Sequence, residues 1–257
     1  MFANKPTVGL FIPCCVDQYA PATGMAMVRL LEGLGLDCYY PQELTCCGKD
    51  LYHQGDRDTA KALGEKLIEQ FGDCTHIVSC GSGCVTYMKV HFGRLFHNTT
   101  LHNSYRQFLD KTYDLSDFLV NVIHYQPTDV IFPHRVAFID HCTTMRDYVC
   151  TAHPDHKGLT EEPRQLLRAV NGLELVEMAQ ADVCCGFGGQ FANYFTPISD
   201  SLAKRKVDNA LAAGAEYIVS TEMSCLLHLK SYIDKVGAPI SCLHLAELLA
   251  PPMEEHH

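Results

Sequence analysis

No stretch of this sequence is long and apolar enough to span a bilayer, which argues against membrane insertion. The opening Met1-Phe2-Ala3-Asn4-Lys5-Pro6 runs straight into a strand-like segment and has no long apolar leader, so a cytoplasmic chain is expected. Basic residues are scarce. Twenty Lys and Arg against 30 Asp and Glu leave a net charge of −10, which excludes the basic footprint of a nucleic-acid partner. Several catalytic signatures are missing as well. There is no H-E-x-x-H, no Ser-His-Asp arrangement and no dinucleotide fingerprint, and Gly81-Ser82-Gly83 lacks the lysine and spacing of a phosphate loop. Hydrolysis and nucleotide binding therefore have no support.

What the chain has is cysteine: 14 in 257 residues. In a reducing compartment clustered cysteines read as metal ligands or redox groups, not disulfides. Eight of them form two matching sets. Cys14 is followed after 31 residues by Cys46-Cys47, and after 36 more by Cys84. Cys142 is followed after 41 residues by Cys184-Cys185, and after 39 more by Cys225. Adjacent cysteines alone are weak evidence, because free cysteine is a common small buried hydrophobe. The repeated context is stronger. Ile77-Val78-Ser79 and Ile218-Val219-Ser220 each precede the last cysteine of a set by the same gap of four residues. Apolar runs Val8–Ile12 and Val136–Ile139 precede the first cysteines.

Each half reads strand, cysteine, helix, strand, paired cysteines, helix, strand, cysteine, helix. Helices are predicted over Thr23–Leu34 and Pro163–Val170, with second strands near Cys38–Tyr40 and over Leu173–Val176. Ala60, Leu63, Leu67 and Phe71 share one face of a further helix, as do Leu202, Val207, Ala210 and Leu211. Gly72 and Gly214 are expected helix stops, and Ser199 an N-cap. The fold class is α/β: two pseudo-repeated halves, each a small parallel sheet flanked by helices, with the cysteines at the C-terminal strand ends. The expected organisation is a first half over 1–96, a helical connector over 97–133 with a helix near Leu115–Ile123, and a second half over 134–253. Residues 254–257 read as a tail, or as the remnant of a purification tag.

Soft thiolates select iron–sulfur clusters or zinc. Structural zinc sites use closely spaced knuckles, and conventional ferredoxin spacing is missing too. Adjacent thiolates suit a multi-iron cluster, whose ligands lie farther apart than those of one zinc ion.

The segments Cys46-Cys47-Gly48 and Cys184-Cys185-Gly186-Phe187-Gly188-Gly189, with their flanking single cysteines, resemble the cysteine-rich, or CCG, domain family. That family includes the B subunit of heterodisulfide reductase and the iron–sulfur subunit of glycolate oxidase. The likeness covers nearly the whole chain and is greatest to short, stand-alone members, the lactate utilization protein A group. It implies Cys14, Cys46, Cys47 and Cys84 as one ligand set, and Cys142, Cys184, Cys185 and Cys225 as the other. It implies one or two iron–sulfur clusters, of 4Fe–4S type, with zinc as an alternative in one half. It also implies an electron-transfer subunit that helps oxidise L-lactate to pyruvate, beside a ferredoxin-like iron–sulfur partner and a third subunit. The halves differ. Cys80 offers the first set a fifth thiol, whereas Thr221 stands at the matching position of the second. The missing C-x-x-C pairs count against heterodisulfide-type thiol chemistry, which stays an alternative together with a zinc-stapled binding scaffold.

Gly48, Gly186, Gly188 and Gly189 would let backbone approach a cluster and aim N–H groups at its sulfurs; a tight turn before a helix at Phe191 is the competing reading. His141 and His53 are read as loop histidines, with a hydrogen bond to a cluster or a proton-carrying role as the alternative. Arg146 is read either as a site for an anion or as a surface ion pair. Cys38, Cys74, Cys150 and Cys242 have no repeat partners and are read as core or incidental.

Overall fold

The computed structural model describes residues 7–147 and 158–251; Cys150 and the tail lie outside them. Short apolar runs form eight strands in two four-stranded sheets, both wholly parallel. The first contains β1 (Thr7–Phe11), β2 (Asp37–Tyr39), β3 (His76–Ser79) and β4 (Thr112–Asp114) in the order β2-β1-β3-β4. The second contains β5 (Arg135–Phe138), β6 (Glu174–Val176), β7 (Tyr217–Ser220) and β8 (Ser241–His244) in the order β6-β5-β7-β8. The repeat read from cysteines is thus a repeat of topology. Register agrees as well: Leu10 lies opposite Val78 in one sheet, and Phe138 opposite Val219 at the matching positions of the other.

Parallel strands need crossovers, and helices supply them. The first half carries α1 (Cys14–Tyr19), α2 (Pro21–Gly33), α3 (Lys49–Gln54), α4 (Arg57–Gln70), α5 (Ser82–Phe96) and α6 (His102–Asp110). A short α7 (Leu115–Asp117) runs into a π-helix over Phe118–Val122, which together form the helix expected near Leu115–Ile123. The second half carries α8 (Gly158–Ala169), α9 (Gln190–Tyr194), α10 (Thr196–Ala212), α11 (Met223–Val236) and α12 (Leu245–Leu249). The segment 97–133, read as a helical connector, also contains β4, which pairs with β3 and completes the first sheet.

One apolar core runs through both halves. Val8, Leu10, Met27 and Leu30 join Val136, Phe138, Leu226 and Leu229 in it. A second core lies on the other face of the first sheet, around Phe11, Phe71, Phe92 and Phe96. The sheets are therefore not independently packed: α2 lies against α12, and Thr23 Oγ1 donates to Glu247 Oε1 at 2.8 Å.

Ser199 is not an N-cap. The helix begins earlier, at Thr196 with Pro197 in its first turn, and Ser199 is buried inside it. Its hydroxyl donates to the Gly186 carbonyl at 2.7 Å and lies 3.1 Å from His228 Nε2. A capping residue was expected because serine competes well for helix starts; here proline sets the start, and the serine anchors the loop that carries the second cysteine pair.

Candidate metal centre

Every cysteine of the two sets sits where a strand ends and a helix begins. Cys14 opens α1, Cys84 lies in the first turn of α5, and Cys225 lies in the first turn of α11. Gly48 is the N-cap of α3, directly after Cys46-Cys47. Helix N-termini present unpaired N–H groups and favour negative charge, so thiolates are stabilised there.

The chain crossings bring each set together in the same way. In the first, Cys14 Sγ lies 3.6 Å from Cys46 Sγ, and Cys47 Sγ lies 3.3 Å from Cys84 Sγ. Cys46 and Cys47 are adjacent in the chain, so the two contacts share one turn. In the second, Cys142 and Cys184 lie 3.7 Å apart and Cys185 and Cys225 lie 3.0 Å apart, with Cys184 and Cys185 again adjacent in the chain. Each set is an open chain of four free thiols in the order single, first of pair, second of pair, single. Among the described residues no three His, Cys, Asp or Glu side chains are drawn around one point as ligands of a lone ion. Cys80 is fully buried at the end of β3 and makes none of these four contacts.

Electrostatics single out one thiolate per set. Hydrogen bonds from Cys14 and then Cys47 pull Cys46 down to about 2, with help from the Gly48 N–H and the Lys49 ammonium. Cys184 is pulled to about 2 by Cys142 and Cys185, helped by the Gly186 N–H and Arg146. Their donors Cys14, Cys47, Cys142 and Cys185 are pushed up in return. The backbone contacts are direct: Gly48 N is 3.5 Å from Cys46 Sγ, and Gly186 N is 3.4 Å from Cys184 Sγ. Both glycines have positive φ, 84° and 97°, so the turn that aims the N–H at the sulfur favours glycine. Gly188 and Gly189 form the turn into α9, with the Gly188 carbonyl accepting from Phe191 N. Four soft donors, a thiolate already formed and an N–H aimed at it suit a thiophilic metal group in each half.

Between the sets lies a buried polar seam. Gly83 N donates to Glu222 Oε2 at 2.7 Å, Ser82 N to the Thr221 carbonyl at 3.3 Å, and His244 Nε2 to the Cys80 carbonyl at 3.0 Å. Thr86 and Thr144 share a hydroxyl bond of 2.8 Å. Glu222 is only 2% exposed, and Ser224 donates to it at 2.6 Å. Burial pushes its carboxyl up, but the Lys49 ammonium, then His141, the Ser224 hydroxyl and the Gly83 N–H outweigh this and hold it at about 2. Burial likewise opposes the charge on Lys49, yet Glu222, Cys84 and Cys47 keep it protonated above the ordinary lysine value. His141 is a buried loop histidine in this seam, satisfied by Thr143 at 2.7 Å. Burial lowers its pKa. His53 is exposed and packs edge-on against Tyr52. Arg146 is exposed, with its charge acting on Cys184 and Cys142. Cys74 lies in the second core, and Cys38 and Cys242 are half-buried against the first.

Sequence reasoning missed Lys49, Glu222, Tyr52 and Tyr87. A signal for two of them existed: Lys49 directly follows the first Cys-Cys-Gly, and Glu222 occupies the repeat position of Gly81. Tyr87 follows Cys84 by three residues, one helical turn on.

The sequence matches the cysteine-rich domain (CCG) family over residues 8–89 and 136–230, the two stretches that carry the two thiol sets. It is 32% identical over 242 residues to lactate utilization protein A 1 of Bacillus cereus (strain AH820), covering 94% of this chain and 98% of that one. It is 31% identical, with the same coverage, to lactate utilization protein A of Geobacillus thermodenitrificans (strain NG80-2). Among solved structures, a hypothetical protein from Helicobacter pylori superposes with a TM-score of 0.63 at 11% identity, over 97% of this chain and 50% of that one. That last likeness is one of fold.

Proposed function

The chain belongs to the cysteine-rich domain family, and from that premise we propose that it is the iron–sulfur electron-transfer subunit of a complex that oxidises L-lactate to pyruvate. The carrying observation is the pair of four-thiol chains at equivalent strand ends of two matching sheets. Cys14, Cys46, Cys47 and Cys84 would hold one 4Fe–4S cluster, and Cys142, Cys184, Cys185 and Cys225 the other. A cluster bound there supplies one-electron transfer. The wide spacing of each set and the adjacent pair within it favour a multi-iron group over the closely spaced knuckles of structural zinc, and zinc in one half is a distinct outcome of the same test.

The chain's own residues prepare these sites. Gly48 and Gly186 direct N–H groups at the first sulfur of each pair. Lys49 sets a positive charge beside Cys47 and Cys84. The seam fixes the two sets relative to one another through Glu222, Thr86 and His244. Cys80, buried behind Cys84, is the candidate fifth ligand of the first site. The names of the relatives support a role in lactate utilization; for the oxidising complex proposed here, a ferredoxin-like iron–sulfur subunit and a third subunit are the proposed partners, in the cytoplasm.

Anaerobic purification with iron, acid-labile sulfide and zinc analysis tests the reading. Iron and sulfide in equal amounts are expected, with part of both lost in Cys46→Ser, part in Cys184→Ser, and all in the double variant. Cys80→Ala should retain the iron if four thiols suffice. Stoichiometric zinc without iron, after expression with ample iron, would sink the proposal.

A further inference from the structure

Beside the first thiol set lies an aromatic knot that the proposed electron transfer does not by itself require. Tyr52, Tyr87 and His91 pack with ring centroids 4.9 to 5.8 Å apart, and Arg57 sits over the Tyr52 ring at 5.4 Å. Tyr87 is 2% exposed and Tyr52 7%. Both hydroxyls, and the Nδ1 of His91, are buried with no hydrogen-bond partner among the described residues. Leaving a polar group buried and unpaired costs roughly 1–3 kcal/mol, so three such atoms in one knot point to a partner from outside the chain.

The helices say where that partner sits. Tyr87 lies one turn after Cys84 on α5, and Tyr52 lies on α3, which starts directly after Cys46-Cys47. The charge of Cys47, Cys46 and Cys84 reaches the Tyr87 phenol. Sulfur bound to metal accepts hydrogen bonds, and a phenol donates one. The second half has no equivalent. The repeat places His228 where Tyr87 stands and Gln190 where Tyr52 stands. His228 is engaged with Ser199 at 3.1 Å, and Gln190 is exposed and accepts from Asn193.

We propose that the Tyr87 and Tyr52 hydroxyls donate hydrogen bonds to the sulfur atoms of the metal group held by Cys14, Cys46, Cys47 and Cys84, and so raise its reduction potential above that of the second site. This rests on the iron–sulfur reading given above. Donors to cluster sulfurs stabilise the more negative, reduced state, which raises the potential. The two tyrosines are positioning groups: they act on the cluster through its sulfurs.

The test is a redox titration of the full chain reconstituted with iron and sulfide, followed by EPR. The first site's couple is identified as the one lost in Cys47→Ser. Tyr87→Phe should shift the oxidised-to-reduced ratio of that couple roughly tenfold toward oxidised, about 59 mV lower for one electron. Adding Tyr52→Phe should lower it further, and the second couple should not move. A second readout needs no metal. In the metal-free chain Tyr87→Phe should hold or raise the urea midpoint, because it deletes an unpaired buried hydroxyl. A first couple that moves less than about twofold, or two couples that move together, would overturn the inference while leaving the iron–sulfur reading intact. So would a metal-free Tyr87→Phe chain that loses stability. Zinc in the first site would overturn it as well, and zinc without iron in both sites would overturn the parent reading with it.

Discussion

Replacing Glu222 by glutamine tests whether the seam between the halves is held by charge. The substitution keeps the side chain's length and an oxygen that can still accept from Gly83 N. It removes the negative charge that faces Lys49 and His141, and it turns the oxygen that accepts from Ser224 into an amide group, which the Ser224 hydroxyl can rotate to accept from. The carboxyl is held at about 2 against an ordinary value of 4.5, so the charged form gains about 3 kcal/mol on folding, at 1.36 kcal/mol per pH unit. That agrees with the roughly 3–5 kcal/mol lost when one member of a buried pair is removed. Its sign follows from the direction of the shift. The folded pKa is depressed, so the contribution is fully present above about 4.5 and disappears as pH falls through about 2. Urea unfolding of the reduced, metal-free chain should therefore show Glu222→Gln less stable by about 3 kcal/mol at pH 7, with the gap closing toward pH 2. A loss under about 1 kcal/mol at pH 7 would refute the reasoning, as would a gap that stays constant on acidification.

Three further substitutions probe the backbone and the seam. Gly186→Ala puts a Cβ 2.6 Å from the Ser199 carbonyl at φ 97°, and should cost more than about 2 kcal/mol while depleting metal from the second site, read by thermal melting and metal analysis. Gly33→Ala, at a helical position with open space around the added carbon, should instead stabilise by about 0.4–1 kcal/mol in the same melts. Thr86→Val leaves the Thr144 hydroxyl unpaired in the seam and should cost about 1–2 kcal/mol in urea unfolding; an unchanged midpoint would mean the bond contributes nothing.

The cysteines and the strand runs were legible because both obey local rules. A parallel strand buried on both faces must read as a continuous apolar run, and a ligand at its end must follow it directly in sequence. Val8–Ile12, Ile77–Ser79, Val136–Ile139 and Ile218–Ser220 therefore located β1, β3, β5 and β7 to within a residue or so. Two of the four edge strands, β4 and β8, were harder. Thr112–Asp114 and Ser241–His244 are short and polar at one end or both, and they are strands because β3 and β7 offer them a free ladder. The Ser199 prediction failed for a related reason: a serine near a helix start competes with a proline closer to it, and propensity does not rank the two.

The sequence by itself therefore determined the two thiol sets, their repeat and the parallel α/β halves, since each follows from spacing along the chain. Tertiary structure alone decided which sulfurs meet, and it joined the halves through one core and one polar seam. It also revealed that Lys49 and Glu222 confront each other between the halves, and that the Tyr52 and Tyr87 hydroxyls are buried without partners among the described residues. Those pairings span up to 173 positions between Lys49 and Glu222, and no local pattern encodes a contact made by facing two strand ends across a crevice.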